Sequence, residues 1–414
     1  MPLANETIEE LRDRLVGELN ILVVMVSSAW GGLEQTALAD VRMLVQNGFH
    51  VTLLLRKGSP IDTRIRMESP QINLVYTKEK LRKFFDPSLV KIIRQLVDKN
   101  KINLIHCHQT SLLGSIVPAL VGSNHVALVV SRHILNNHNK RDPIHALIYR
   151  RVDYILVLSK AMKNNLAATF PVPEKKLRIV NLAIDLEQFN PNLVNREMIR
   201  AEWNIPKEAF LVGVVGRLDP MKGQDLVVKA LAQVCKMKSN VYGLLVGDET
   251  PGLEGAYLEE LKKGIEQLRL SDCIIIHPER KDIPSVLAGL DLFLMPSWSE
   301  AFGLVALEAM AMGIPCVLSR SGSSMELAEA SGSELFRAKD AYDLARKIIY
   351  LHDNPQKMTK IAEQGRNFVR AAHAKSKRLH DTLELYARCY RRRISGYQGP
   401  VTEVLSRLNP RNSK

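Results

Sequence analysis

No apolar run in this 414-residue chain approaches the roughly 18 residues that a membrane-spanning helix requires. A secretory leader is not expected either, because the opening "MPLANETIEELRDRLVGELN" is acidic and polar where a leader is basic and then apolar. A cytoplasmic protein is the expectation. Within that opening, Ile8, Leu11, Leu15 and Leu19 recur at helical spacing and predict an amphipathic helix ahead of the first strand. Cysteine is scarce: Cys107, Cys235, Cys273, Cys316 and Cys389 are scattered, with no two at metal-ligand or redox spacing. That excludes a disulfide scaffold or zinc module and fits buried free thiols in a reducing compartment. Acidic residues are in deficit, 44 against 57 Lys and Arg, for a net charge of +13. The excess favours an anionic partner such as nucleic acid, an acidic membrane face or a phosphorylated substrate. Zinc-finger spacing and aromatic–basic strand motifs are absent and the basic residues are not gathered into one tail, so nucleic acid is not expected.

What is present is a regular alternation. "NILVVMVSS", "HVTLLL", "INLIHCH", "VALVVS" and "YILVLS" read as short buried strands separated by helical segments such as "LEQTALADVRMLVQNG". The pattern loosens over "RIVNLAIDLEQFNPNLVNREMIRAEWNIPKEA", which reads as an inter-domain connection. It then restarts with "FLVGVVGR", "VYGLLVGD", "CIIIHPE", "LDLFLMPS" and "PCVLS". This is βαβ alternation, hence parallel sheets with both faces covered. The expected fold class is α/β, two Rossmann-like doubly wound domains in tandem with a ligand cleft between them at the C-terminal ends of the strands. Residues 1–185 and 186–377 are the expected domains, with the helix of 378–414 packing back on the first.

Three strand-to-helix turns carry candidate chemistry. In "AWGGLEQT", Gly31 and Gly32 let backbone approach a ligand at a helix N-terminus; a plain tight turn reads equally well, and the pattern is not G-x-G-x-x-G. In "VVGRLDPMKGQDLVVKAL", Gly216 precedes Arg217, and Lys222 follows on the same loop, a natural clamp for a diphosphate. In "PSWSEAFGLVALEAMAMGIP", an almost wholly apolar helix begins near Phe302 or Gly303 with Glu300 before it and Glu308 inside it. A buried carboxylate needs a partner. Glu308 either accepts hydroxyls of a ligand or pairs with a core arginine.

Taken together, Gly31-Gly32-x-Glu34, the G-R-L-x-x-x-K-G of 216–223, "VNLAIDLEQFNP", "PERKDIPSVLAGLDLFLMPSWSEAFG" and the E-x(7)-E of Glu300 and Glu308 resemble glycosyltransferase family 4, retaining enzymes of the GT-B fold. The likeness runs over most of the chain, and the motifs in this order and spacing are specific. It implies transfer of a hexose-type sugar from a nucleotide-diphosphate sugar to a hydroxyl of a glycan or lipid-linked acceptor, in cell-envelope polysaccharide, lipopolysaccharide or glycolipid synthesis. It implies no cofactor and no metal, and the sequence has no D-x-D at a strand end. By resemblance, Arg217 and Lys222 neutralise the diphosphate and Gly32 approaches the phosphate from the first domain. Glu300 binds the transferred sugar with backbone help from Phe302, Gly303 and Leu304, and Glu308 binds the ribose. His108, the second histidine of H-x-H, would lie near the sugar and the incoming hydroxyl, and His133 resembles a T-x-H at the end of the next strand. Each also reads as a satisfied strand-end histidine, while His106 reads as structural. Glu34 and His133 are acceptor-side candidates.

Two motifs depart from the family pattern. Its G-G-x-x-E appears as Gly322-Ser323-Ser324-Met325-Glu326, and "HPER" replaces G-F-x-R, leaving Arg280 as a weaker base-side candidate. Other readings are an epimerase-like nucleotide-sugar enzyme, a dehydrogenase and a catalytically idle binding module of the same fold. The missing G-x-G-x-x-G argues against the dehydrogenase, and intact Arg217, Lys222, Glu300 and Glu308 argue against idleness. Finally, "KEKLRKFFDPSLVKIIRQLVDKNK" interleaves Lys and Arg with apolar residues. It reads either as a surface for anionic lipid or as a helix whose apolar face packs on its own sheet. Arg132, Lys140, Arg141, Arg150 and Arg151, and then "RCYRRRISGY", add further basic groups. The lipid reading would place the protein peripherally at the inner face of the cytoplasmic membrane.

Overall fold

The computed structural model describes residues 7–68, 72–82, 84–136, 138–250, 252–253, 255–298, 300 and 302–395. It divides into two compact units. One holds the chain up to Asn181 together with the chain from Arg378 onward, and the other is Leu182–Lys377. The first boundary thus falls at 181/182, against the 185/186 expected. The stretch read as a loose connection mostly belongs to the second unit. It forms the Arg196–Glu202 helix, whose Arg200 bonds Asp291 at 3.2 Å, and it buries Phe189, Ile199 and Trp203. Its apolar residues are too widely spaced for a strand signal, yet Ile199 and Trp203 pack closely on Gly289.

The first unit is a seven-stranded parallel sheet of β1 (Asn20–Met25), β2 (His50–Arg56), β3 (Asn73–Thr77), β4 (Leu104–Cys107), β5 (Ala127–Ser131), β6 (Tyr154–Val157) and β7 (Leu177–Ile179). Its order is β3-β2-β1-β4-β5-β6-β7. The continuous burial of β1, β4 and β5 is what sheets covered on both faces require. Strand order reverses between β1 and β4, and ligands of such sheets bind beyond the carboxyl ends at that reversal. The Gly31–Gly32 turn follows β1 and His108 follows β4. The N-terminal helix Ile8–Val16 forms as its spacing predicts. Thr7 and Glu10 close a capping box, and Leu11, Leu15 and Leu19 are buried. From Arg378, the Lys375–Cys389 helix adds Leu379, Leu383, Tyr386 and Cys389 to this unit's core. The expected helix of 378–414 extends beyond residue 395, outside the described residues.

The second unit is a six-stranded parallel sheet of β8 (Phe210–Val215), β9 (Val241–Val246), β10 (Ile274–His277), β11 (Leu292–Met295), β12 (Cys316–Ser319) and β13 (Glu334–Phe336). The order β10-β9-β8-β11-β12-β13 reverses between β8 and β11. The two loops singled out in the sequence, 216–223 and 296–303, leave the carboxyl ends of these two strands. The topology therefore brings together side chains some eighty positions apart in the chain.

Candidate functional site

In the second unit the loop after β8 turns through the short helical turn Pro220–Lys222, capped by Asp219, and enters the Gln224–Met237 helix through Gly223. Gly223 has φ 73°, and a Cβ there would stand 2.6 Å from the Pro296 carbonyl oxygen. Only glycine allows this approach. The amide of Trp298 donates to Met221 O at 2.9 Å, so the loop after β11 is pinned to the loop after β8. As a result Lys222 Nζ lies 2.8 Å from Glu300 Oε2. Arg217 is exposed, and its side chain makes no hydrogen bond or ion pair to another described residue.

The departure from the family's glycine pair resolves into a specific contact. Ser323 donates to the Glu300 carbonyl oxygen through its amide and its hydroxyl, each at 3.2 Å. A Cβ on Gly322 would come within 2.3 Å of the same oxygen. Glycine followed by serine therefore clamps the backbone of Glu300 and fixes where its carboxylate emerges. Gly303 is the N-cap of the Leu304–Ala311 helix, with φ 88°. Its amide and those of Leu304 and Val305 are helix-start donors at the positive end of the helix dipole.

Glu308 lies one turn into that helix. Part of its surface still reaches solvent. The carboxyl itself is ringed by enough protein that burial pushes it up to about 8. Among the described residues nothing hydrogen-bonds to it or pairs with it, so the core-arginine alternative fails. A carboxyl kept half-desolvated without a partner is a group awaiting a donor. Phe302 is buried, 5.4 Å ring-to-ring from His373. Arg280 is committed elsewhere: both Glu202 and Asp282 bond its guanidinium and it lies over the Trp203 ring. Its charge is already met, which weakens it as a base-side contact.

In the first unit, Gly31 is the N-cap of the Gly32–Gln46 helix in extended backbone, and Glu34 is buried in its first turn. A Cβ on Gly31 would sit 3.5 Å from Glu34 Oε2. The histidines form a stack. The His106 and His108 rings are 4.4 Å apart, and those of His108 and His133 are 5.4 Å apart. His106 is held by Tyr386 Oη and Ser131 Oγ, each at 2.7 Å, which makes it the structural member. His108 Nδ1 meets His133 Nε2 at 3.2 Å, while its Nε2 is buried with no hydrogen-bond partner among the described residues, 3.8 Å from Asp40 Oδ2. Burial depresses all three, His106 to about 4, His133 to about 3 and His108 well below the usual range, so the stack is neutral at pH 7. A neutral imidazole can position a hydroxyl but carries no charge to offer.

Sequence reasoning missed the support beneath this stack. Arg378 grips Asp40 through two bonds of 2.5 and 2.7 Å and donates to Asn181 O. Asp40 on the apolar stripe of its helix was the available signal; its partner lies 338 positions away. His108 and His133 also line a cavity of about 440 Å³ within this unit, walled by Leu33, Phe84, Arg132 and Tyr149 among others.

Two parallel doubly wound sheets, each with its loops gathered at the strand-order reversal, are the architecture of the GT-B fold. Residues 30–188 match the model of Glycosyltransferase Family 4, and residues 195–368 match that of Glycosyl transferases group 1. The chain belongs to this family. It is 23% identical to the UDP-Gal:alpha-D-GlcNAc-diphosphoundecaprenol alpha-1,3-galactosyltransferase of Escherichia coli, over 73% of this chain and 79% of that one. It is 30% identical to the lipopolysaccharide core biosynthesis mannosyltransferase LpsB of Rhizobium meliloti, over 50% and 58%. Matches to several D-inositol 3-phosphate glycosyltransferases take in 44–63% of their length. The fold is similar to that of Anabaena Alr3699/HepE in complex with UDP and glucose, with TM-score 0.74, 22% identity, and 89% and 99% of the two chains covered.

Proposed function

We propose that the protein is a retaining, metal-independent hexosyltransferase that moves a sugar from a nucleotide-diphosphate donor to a hydroxyl of a glycan or lipid-linked acceptor in envelope glycan or lipopolysaccharide synthesis. The observation that carries it is the set of groups at the β8/β11 reversal: exposed Arg217, Lys222 paired to Glu300, the helix start at Gly303 and Glu308, which has no partner among the described residues. Cleaving the glycosidic bond builds negative charge on the leaving diphosphate and oxocarbenium character on the sugar. Arg217, Lys222 and the helix-start amides meet the first. Glu300 serves the second, once the donor's phosphate takes over Lys222. Glu308 accepts the ribose hydroxyls. That the HepE complexes contain UDP and glucose, and UDP-glucose, supports a nucleotide-sugar donor. The acceptor named for the Escherichia coli relative supports a lipid-linked one. Incubation with a panel of nucleotide-sugars should show slow release of one nucleotide. No release and no binding from any donor would refute the assignment.

The membrane part of the reading is narrower than the sequence suggested. Leu89, Ile93, Leu96 and Val97 of the Pro87–Lys99 helix are buried, so its apolar face packs on its own unit. What stays exposed is Phe84, Phe85, Ile134, Ile144 and Leu147, with Arg82, Lys91 and Arg94 on the basic stretch. Lys83 lies outside the described residues. No described helix is long and apolar enough to cross a membrane. We retain the exposed aromatic and basic groups as the surface that touches anionic lipid.

A further inference from the structure

The first-unit cavity carries a charge imbalance that donor chemistry does not use. Arg132 and Lys140 both line it, and its described lining residues include no Asp or Glu. The Arg132 guanidinium is held in place by neutral acceptors alone: Nε donates to Ile134 O at 2.8 Å and Nη1 to Thr110 Oγ1 at 2.7 Å. Its charge lies 5.6 Å from the Phe170 ring centre, and Lys140 Nζ lies 5.7 Å from the same centre. Neither cation has a carboxylate partner among the described residues. Burial lowers the Arg132 guanidinium, and no carboxylate offsets this. Arg280 is the contrast, raised by two carboxylates that bond it. Of the acids near the pocket, Asp142 is engaged by His145 Nδ1 at 2.5 Å and by the amides of Ile144 and His145, and Asp40, 3.8 Å from His108 Nε2, is gripped by Arg378.

A mostly buried arginine without a counter-ion is costly unless something anionic arrives. Two of the five guanidinium donors are used for anchoring, which leaves three aimed by a fixed plane, the arrangement suited to phosphate oxygens. The cavity is larger than a bare anion needs, and Phe84, Ile134 and Tyr149 supply apolar wall. His108 and His133 sit in the same cavity. We propose that this pocket holds a phosphate carried by the acceptor, with Arg132 and Lys140 as its anion-binding residues and the accepting hydroxyl toward the histidine stack. The assignment rests on reading the first unit as the acceptor side.

Calorimetric titration of inorganic pyrophosphate tests it in the full chain carrying Arg217→Ala and Lys222→Ala, which remove the two clamp cations of the second unit. Saturable binding is expected, weakened at least tenfold by a further Arg132→Gln or Lys140→Gln. Absence of saturable binding, or equal affinity in both variants, overturns the assignment. Should Arg132→Gln fail to fold, Lys140→Gln decides alone. Farnesyl diphosphate run in parallel separates the sources of phosphate. Binding at least tenfold tighter than pyrophosphate marks a lipid-linked acceptor, equal binding marks a soluble phosphorylated one, and both keep the phosphate site. Donor cleavage by the unmodified protein reports on the transferase reading separately. Cleavage without Arg132-dependent pyrophosphate binding overturns the pocket and leaves that reading standing. Pyrophosphate binding with no donor cleaved removes the acceptor role.

Discussion

Replacing Glu308 by Gln isolates one carboxyl with a calculable pH signature. Burial raises it from its ordinary 4.5 to about 8, so at pH 7 about nine-tenths of molecules carry it protonated. Ribose hydroxyls that donate to it require the carboxylate. Donor binding at pH 7 must first ionise the group, at a cost of about 1.4 kcal/mol that nearly vanishes by pH 9. Donor affinity should therefore rise about tenfold from pH 7 to pH 9, and binding at pH 7 should release about 0.9 proton. Glu308→Gln abolishes both effects and weakens binding at pH 9 by about 1.5–3 kcal/mol, the worth of a charge-assisted bond. The stability effect has the opposite direction. A raised carboxyl pKa favours the fold below about 4.5 and loses that contribution as pH rises through about 8. The variant should thus melt above the parent at pH 9. Titration calorimetry at pH 7 in two buffers of different ionisation enthalpy reads the proton, and a pH series reads the affinity. Equal donor affinity of parent and variant at pH 9 would refute the reasoning.

Arg217→Ala and Lys222→Ala should each lower turnover by about two orders of magnitude or more, with little change in melting temperature, because each removes a donor that strengthens as the phosphate leaves; near-normal kcat in both rejects the clamp. The histidine stack should make the fold acid-sensitive. His106 and His133 titrate near 4 and 3 when folded and near 6.5 when unfolded, so the stability of their neutral forms is present above 6.5. It should fall by roughly 1.4 kcal/mol per pH unit per histidine as pH drops below that. Urea denaturation at pH 7, 6 and 5 checks this, and an unchanged midpoint contradicts it. Sedimentation with anionic but not zwitterionic vesicles, weakening steeply with salt, is expected of the exposed Phe84, Phe85 and basic surface. Arg82, Lys83, Lys91 and Arg94 changed together to Gln should abolish it, and equal binding to neutral vesicles argues for a soluble acceptor.

The fold was readable because parallel sheets leave unambiguous marks: short Val- and Ile-rich runs that recur between helical periods. The second-unit loops were readable because Gly223, Gly303 and Gly322 stand where backbone must turn or approach closely. Sequence alone could not show that Lys222 and Glu300 hold each other, since their contact depends on strand order. Nor could it show that Glu308 has no partner among the described residues, which is a property of what surrounds it. The Asp40–Arg378 pair and the Tyr386 bond to His106 bring the Lys375–Cys389 helix against the Gly32–Gln46 helix and β4, a juxtaposition no local pattern encodes. Arg280 is weakened in the opposite sense: its position invited a ligand, and Glu202 and Asp282 already bond its guanidinium.

Time-resolved proton NMR of the slow hydrolysis of the accepted donor tests the central claim most directly, because it reads cleavage and stereochemistry together. The sugar should appear first in the anomeric configuration it had in the donor, in step with nucleoside diphosphate, before mutarotation sets in. Appearance of the opposite anomer first would contradict a retaining transferase, and failure to cleave any nucleotide-sugar would contradict the donor site at Arg217, Lys222, Glu300 and Glu308.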